Sequence, residues 1–198
     1  MIDPTIEKYL QNNILPELEK GRPNWDRPHT IAVVENLKDI LKHSKDLNLD
    51  GTVLIITAYA HDWGYSGLFK DGKPLQLNEI MDAKEEHMRI GAEKLKKMLE
   101  NAVFDELTLS QKERAVHLVK MHDVLPLIKE PDERVLLEAD TLGALDVKKV
   151  TPAFDQMSNK RWMYTVRKKR LPLFITEYSK KKFEELFGER EKFYVNRA

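Results

Sequence analysis

Apolar positions along most of the chain recur every three or four residues, the spacing at which side chains share one face of a helix. From near Asp26 to about Asp46, Val33, Leu37, Ile40 and Leu41 follow this rule. Pro4 to about Lys20 reads as an earlier helix, with Pro4 suited to a first turn. "GRPN" separates the two, and "NLDG" reads as a turn. "TVLIITAYAHD" is continuously apolar, so periodicity alone permits a buried strand; its length and its alanines favour a central buried helix. "GYSGLFKDGKP" is a loop. Helices follow from about Met81 to Glu100 and from Ser110 to about Asp123, the latter with Ser110 as N-cap and Glu113 completing a capping box. "VLPLIKEPD" turns the chain, and Pro131 or Asp132 opens a helix through Ala139, Asp140 and Leu145. Thr151–Pro152 opens a short helix that "SNKRWMYTVRKKR" continues. Leu171–Pro172 marks a break before the amphipathic C-terminal segment "LPLFITEYSKKKFEELFGER". With no repeat, low-complexity tract or long linker, the pattern predicts one all-α domain over residues 1–198. The C-terminal helices, 151–198, are expected to pack on the rest.

Composition narrows the chemistry. The 198 residues are 41% apolar and 33% charged, which suits a globular chain with an ample core rather than a disordered one. Formal net charge is zero, so no overall basic field recruits extended nucleic acid or an anionic membrane. The absence of cysteine excludes disulfides, thiolate nucleophiles and Cys-ligated zinc. Any metal must therefore be held by His and carboxylates, which suit divalent iron, manganese, zinc or magnesium. "MIDPTIEKYLQNN" lacks the basic start and apolar stretch of a secretory leader, and no apolar run approaches membrane-spanning length. A cytoplasmic location is expected.

Sorting polar residues by helical face singles out six. His29 lines up with Val33, Leu37 and Ile40; His61 and Asp62 share a face with Leu54 and Ala58. His87 goes with Ile90, Gly91, Leu95 and Met98, His122 with Ala115, Leu118 and Val119, and Asp140 with Leu136, Ala139 and Gly143. His43 and His117 fall on polar edges instead. A lone buried His is usually a hydrogen-bonded core residue, but a carboxylate aimed at a core needs a partner. No Lys or Arg sits squarely on these stripes. A divalent cation would satisfy imidazoles and carboxylates together, and the small residues Ala58, Gly91, Ala115, Ala139 and Gly143 would let the helices approach closely enough. A buried hydrogen-bonded network without metal is the alternative.

The ordered set His29, His61–Asp62 and Asp140, in the contexts "AHDWG" and "LEADTLGAL", resembles the signature of the HD superfamily of metal-dependent phosphohydrolases. His87 in "EEHMRIGAE" and His122 in "VKMHD" resemble the additions of its two-metal subgroup. The resemblance spans roughly residues 25 to 147. It implies an all-α HD-domain bundle, with one or two divalent ions drawn from iron, manganese, zinc, nickel, cobalt and magnesium. His29, His61, Asp62 and Asp140 would hold the first ion. Asp62 would bridge to a second, completed by His87 and His122. His61 and Asp62 would thus be the catalytic pair. Many relatives carry a lysine close behind the glycine of the loop, whereas here Lys70 stands further on.

The implied reaction is hydrolysis of a phosphomonoester, phosphodiester or phosphoanhydride in a small substrate, with a nucleotide as the expected class. Asp123, directly after His122, is a helix-end carboxylate and a candidate for protonating the leaving group. Arg27, Arg89, Lys148, Arg161 and Arg167 are candidate phosphate contacts, the last two within a basic and aromatic stretch that also holds Lys160, Trp162, Tyr164 and Arg170. Trp63 and Tyr65 are candidate pocket or core aromatics. Two other functions fit the same ligands: a mixed-valent di-iron oxygenase on the HD fold, and a nucleotide-binding domain without turnover. The apolar residues of the C-terminal segment pack either on the domain or on a second copy of the chain.

Overall fold

In the computed structural model, which describes residues 2–69, 77–152 and 155–195, the helical spacing becomes a layered bundle. The helices are α1 (Pro4–Leu18), α2 (Asp26–His43), α3 (Gly51–Ala60), α4 (Leu77–Asp82), α5 (Lys84–Met98), α6 (Leu109–Met121), α7 (Pro131–Leu145), α8 (Gln156–Thr165) and α9 (Glu177–Val195). The described residues contain no strand, and the fold is all-α. None of the described helices is long and apolar enough to cross a membrane.

The ambiguous apolar run is a helix. The Asp50 carboxylate accepts from the backbone N–H of Thr52 and Val53 at 3.0 and 3.1 Å, capping α3, and every residue from Val53 to Ala60 is buried. α7 is buried from Val135 to Leu145. A helix buried on all sides belongs at the centre of its domain. α2 and α9 pack on α7, while α3 packs on α2 and α6, and α6 on α5. The α2–α7 crossing is close at Gly143: a Cβ there would lie 2.7 Å from Val33 Cγ2 and 3.0 Å from the Val33 backbone nitrogen.

Several boundaries depart from the sequence expectation. The second helix ends at His43, and a 3-10 turn over Lys45–Leu47 leads to Asn48 in the left-handed region, φ 46°. The helix expected from Met81 is divided at Ala83 into α4 and α5. The capping box of α6 is made by Thr108 and Gln111, not Ser110 and Glu113. The Thr108 hydroxyl accepts from Gln111 N at 3.2 Å, and Gln111 Oε1 accepts from Thr108 N at 2.9 Å. Two overlapping boxes were available, and the earlier one also lets Gln111 Nε2 donate to Asp50 Oδ2 at 2.7 Å, tying two helix starts together. α8 starts after Asp155, whose carboxylate accepts from Ser158 N at 2.9 Å, so Thr151–Pro152 lies ahead of the helix. After α8 come a π-turn over Val166–Arg170 and a 3-10 turn over Leu171–Leu173. The buried Glu138 of α7 then accepts from Thr176 N at 3.0 Å and from the Thr176 hydroxyl at 2.5 Å, which docks the start of α9. Phe183, Leu186 and Phe187 of α9 are buried in the domain's own core. Lys70 and the loop segment 71–76 lie outside the described residues.

The α2–α7 contact has no room for a methyl group. Gly143→Ala should destabilise the chain by about 1–3 kcal/mol. Gly188→Ala, in α9 with nothing within 4 Å of the added carbon, should instead gain up to about 1 kcal/mol. Denaturant unfolding of the two variants measures both signs.

Candidate metal centre

Five helices deliver the six sorted residues to one place. His29 comes from the first turns of α2, and His61 ends α3 in helical geometry. Asp62 then leaves the helix at φ −99°, ψ 4°, in the bridge region. His87 lies early in α5, His122 caps the C-terminus of α6, and Asp140 lies in the second half of α7. All six are buried, none more than 8% exposed. Gly64 makes this convergence possible. A Cβ there would stand 1.7 Å from the His87 carbonyl oxygen, so only glycine lets the turn after Asp62 rest on the backbone of α5.

The ligand atoms fall into two groups, His29, His61 and Asp140 in one, Asp62, His87 and His122 in the other. Within each group the atoms lie within 4.8 Å of one another, and each group could hold a metal ion. Asp62 stands between the groups. Its Oδ2 is 3.3 Å from His61 Nε2 and 3.5 Å from His29 Nε2, and its Oδ1 is 3.7 Å from His87 Nε2 and 3.9 Å from His122 Nε2. Asp140 Oδ1 is 3.0 Å from His29 Nε2 and 3.8 Å from His61 Nε2. Two ligands at about 2.1 Å from a tetrahedral ion stand about 3.4 Å apart, so the spacing suits a shared cation.

The donor chemistry fits as well. His61 Nδ1 lies 2.8 Å from the Ala58 carbonyl oxygen, and His122 Nδ1 lies 2.8 Å from that of Val119. A carbonyl only accepts, so these Nδ1 atoms carry protons and each neutral ring turns a lone pair inward from Nε2. Yet Nε2 of His61 is 3.3 Å from Nε2 of His29, and Nε2 of His87 is 3.4 Å from Nε2 of His122. His29 Nε2 also faces Asp140 Oδ1, so without metal it carries the proton, and of each facing pair of nitrogens at least one must be protonated unless a metal ion takes both.

Two arginines complete the centre. The Arg22 guanidinium is ion-paired through Nη2 with Asp62 Oδ2, and that of Arg170 through Nη2 with Asp140 Oδ2. Asp26, fully buried, accepts from Arg22 Nε at 2.5 Å. No Lys or Arg shares the inward stripes, as the spacing predicts, yet two arginines from outside them reach these carboxylates. Arg22 comes from the "GRPN" turn and Arg170 from the π-turn, and sorting residues by helical face cannot see side chains delivered from turns. The π-turn is the local device that ends α8 with Arg170 aimed inward, and such turns recur at functional sites. Tyr65 stacks on His87 with ring centroids 3.9 Å apart. Asp123 pairs with Lys84 at 2.9 Å and stands 3.8 Å from Arg170 Nη1.

The candidate phosphate contacts lie on the surface. Arg27 pairs with Glu19, Arg89 with Glu86 and Glu93, Lys148 with Glu189, and Arg167 with Glu184. Arg161 is exposed. None of the five is hydrogen-bonded or ion-paired to the six clustered residues. Trp63 belongs to the core, with Lys94 Nζ 5.5 Å from its ring.

Burial and charge set the protonation of the centre. Burial works against the charged form of His61, but the adjacent Asp62 and the nearby Asp140 outweigh it and raise the ring to about 9. Burial, reinforced by His122, pushes His87 down to about 3. Burial also lowers His29 and His122. Against burial, Arg22 and His61 hold Asp62 well below the usual carboxylate range, and Arg170 and His29 do the same for Asp140. Asp26 is raised to about 6 by burial despite Arg22, with Asp62 adding to the rise.

Comparison of the chain with protein-family models, with curated proteins and with solved structures returns no match.

The metal-free chain should lose stability as pH rises from its ordinary His value of 6.5 to about 9. In that window folded His61 keeps a proton that the unfolded chain has released, so the folded state is favoured most below 6.5 and the advantage fades through 9. A bound metal ion would displace this proton, so saturation with metal should flatten or reverse the slope. Melting temperatures across pH 6.5–9, with and without divalent metal, test both statements.

Proposed function

We propose that the chain is a metal-dependent phosphohydrolase of the HD superfamily, acting on a small phosphorylated substrate with a nucleotide as the expected class. The observation that carries the reading is the presentation of one Asp62 oxygen to each of two histidine-containing groups, by residues in the order His29, His61–Asp62, His87, His122, Asp140. Divalent ions bound there, with iron, manganese, zinc, nickel, cobalt and magnesium all suited to imidazole and carboxylate, would acidify water and neutralise the charge growing on phosphoryl oxygens.

The chain's own residues hold and surround that chemistry. His61 and His122 are fixed through their Nδ1 protons, and Asp140 is steadied by Arg170 on the oxygen turned away from the histidines. Arg170 and Lys84 also place two cations beside Asp123, where an anionic substrate would be drawn. Asp123, about one fifth exposed and paired with Lys84, is a candidate to protonate the leaving oxygen once that pairing opens. The Tyr65 ring on His87 walls one side of the centre. Absence of cysteine agrees with a route that needs no thiolate.

The test is phosphate release from a panel of nucleotides and phosphodiesters with manganese, cobalt, nickel or iron added, alongside elemental analysis of the purified chain. Metal-dependent release is expected. Asp62→Ala should fall to about one hundredth of wild type or less while its far-ultraviolet circular dichroism stays helical. Unchanged turnover by that variant would reject the assignment. Substrate loss coupled to oxygen uptake, with bound iron and no phosphate release, would reject it in favour of the oxygenase.

A further inference from the structure

The cluster contains a cation of its own. Arg22 approaches Asp62 through Oδ2, the oxygen that also faces His29 and His61 at 3.5 and 3.3 Å. Arg170 differs: it takes Asp140 Oδ2, while His29 and His61 face Oδ1. One guanidinium therefore shares the oxygen that an ion in the first group would use, and the other does not.

The surroundings of Arg22 fix it in that position. The fully buried Asp26 accepts from both the Arg22 backbone N–H and its Nε, each at 2.5 Å. A Cβ at residue 21 would stand 2.1 Å from Asp26 Oδ2, so Gly21 is what admits the carboxylate. The guanidinium lies 4.0 Å from the centroid of Tyr65, which also stacks on the ring of His87. A buried acid, a glycine and an aromatic face thus hold one guanidinium against the carboxylate shared by the two groups.

We infer that Arg22 is a resident counter-cation that competes with the metal ion for Asp62, keeping the centre assembled without metal and raising the metal concentration at which it fills. The inference rests on the reading of the cluster as a metal centre. A divalent ion on Asp62 Oδ2 stands within a few ångström of the guanidinium, and two cations at that separation in a buried site repel strongly. The arginine supplies the neutralisation that a buried carboxylate needs, and the ion must displace that pairing or share it at a loss. Metal loading is then an exchange of one cation for another rather than the filling of a bare acidic pocket.

Titration of the metal-stripped full chain with zinc by calorimetry, at fixed pH and ionic strength, tests this. Arg22→Gln should bind zinc about tenfold more tightly or better, because the competing charge is gone. Arg22→Lys, which keeps the charge, should remain near wild type, and Arg170→Gln should change affinity less than Arg22→Gln. Melting of metal-free Arg22→Gln should move the opposite way, to lower temperature, since Asp26 and Asp62 lose their partner. A purely structural arginine would lower melting temperature and affinity together, and that result overturns the inference. Equal tightening in Arg170→Gln also overturns it, because only general charge would be at work. Should Arg22→Gln fail to fold, nitrogen resonances of the wild-type Arg22 guanidinium must shift as zinc is added, and unmoved resonances overturn it. If wild type and variants all take up no zinc, the metal-centre reading itself fails, a result distinct from tight wild-type binding that Arg22→Gln leaves unchanged.

Discussion

Two carboxylates, Asp62 and Asp140, are buried among four imidazoles, and neither can keep its charge there alone. The rest of the centre follows from that constraint. Arg22 and Arg170 are brought in from turns to meet them, and His61 is driven toward its protonated form between them. Asp26 is buried in turn to hold Arg22. Such a chain of charges is expensive to desolvate, and a domain has simpler ways to fill its core. Its geometry offers one oxygen of Asp62 to each of two groups that could hold a metal ion.

The bundle serves this arrangement through close approach. α3 and α7 are buried nearly throughout, so the helix ends and turns around them can bring short polar side chains to a common point. Gly143 lets α2 and α7 cross with His29 opposite Asp140, and Gly64 lets the turn after Asp62 lie on α5 beside His87. A larger residue at either position would force the packed backbones apart at the point where the groups meet. Packing and chemistry are thus set by the same few contacts. The long C-terminal part joins them through Glu138, which docks the start of α9, and through the π-turn that ends on Arg170.

Much of this was legible along the chain. The 3.6-residue spacing of apolar side chains identified helices, and the same spacing placed His29, His61, Asp62, His87, His122 and Asp140 on inward faces while leaving His43 and His117 outside. Helical periodicity is a local rule, so a local reading recovers it. Helix starts were less legible where two capping boxes overlapped, because the contact between Gln111 and Asp50, sixty-one residues apart, favours the earlier one. The surface placement of Arg27, Lys148 and Arg167 was hidden, since each is directed by a carboxylate on another element, whereas Arg89 pairs with Glu86 and Glu93 three and four residues away, a spacing open to a local reading.

By itself the sequence determined the all-helical class, the inward faces and the six polar groups that share them, because each depends on residues three or four apart. The family resemblance implied two sets sharing Asp62, but only the tertiary structure decided that the side chains meet in that way and that Arg22 and Arg170 complete them. Those facts depend on side chains from turns and on residues up to 111 positions apart, whose meeting is set by how helices cross. No periodicity within a single segment carries that information.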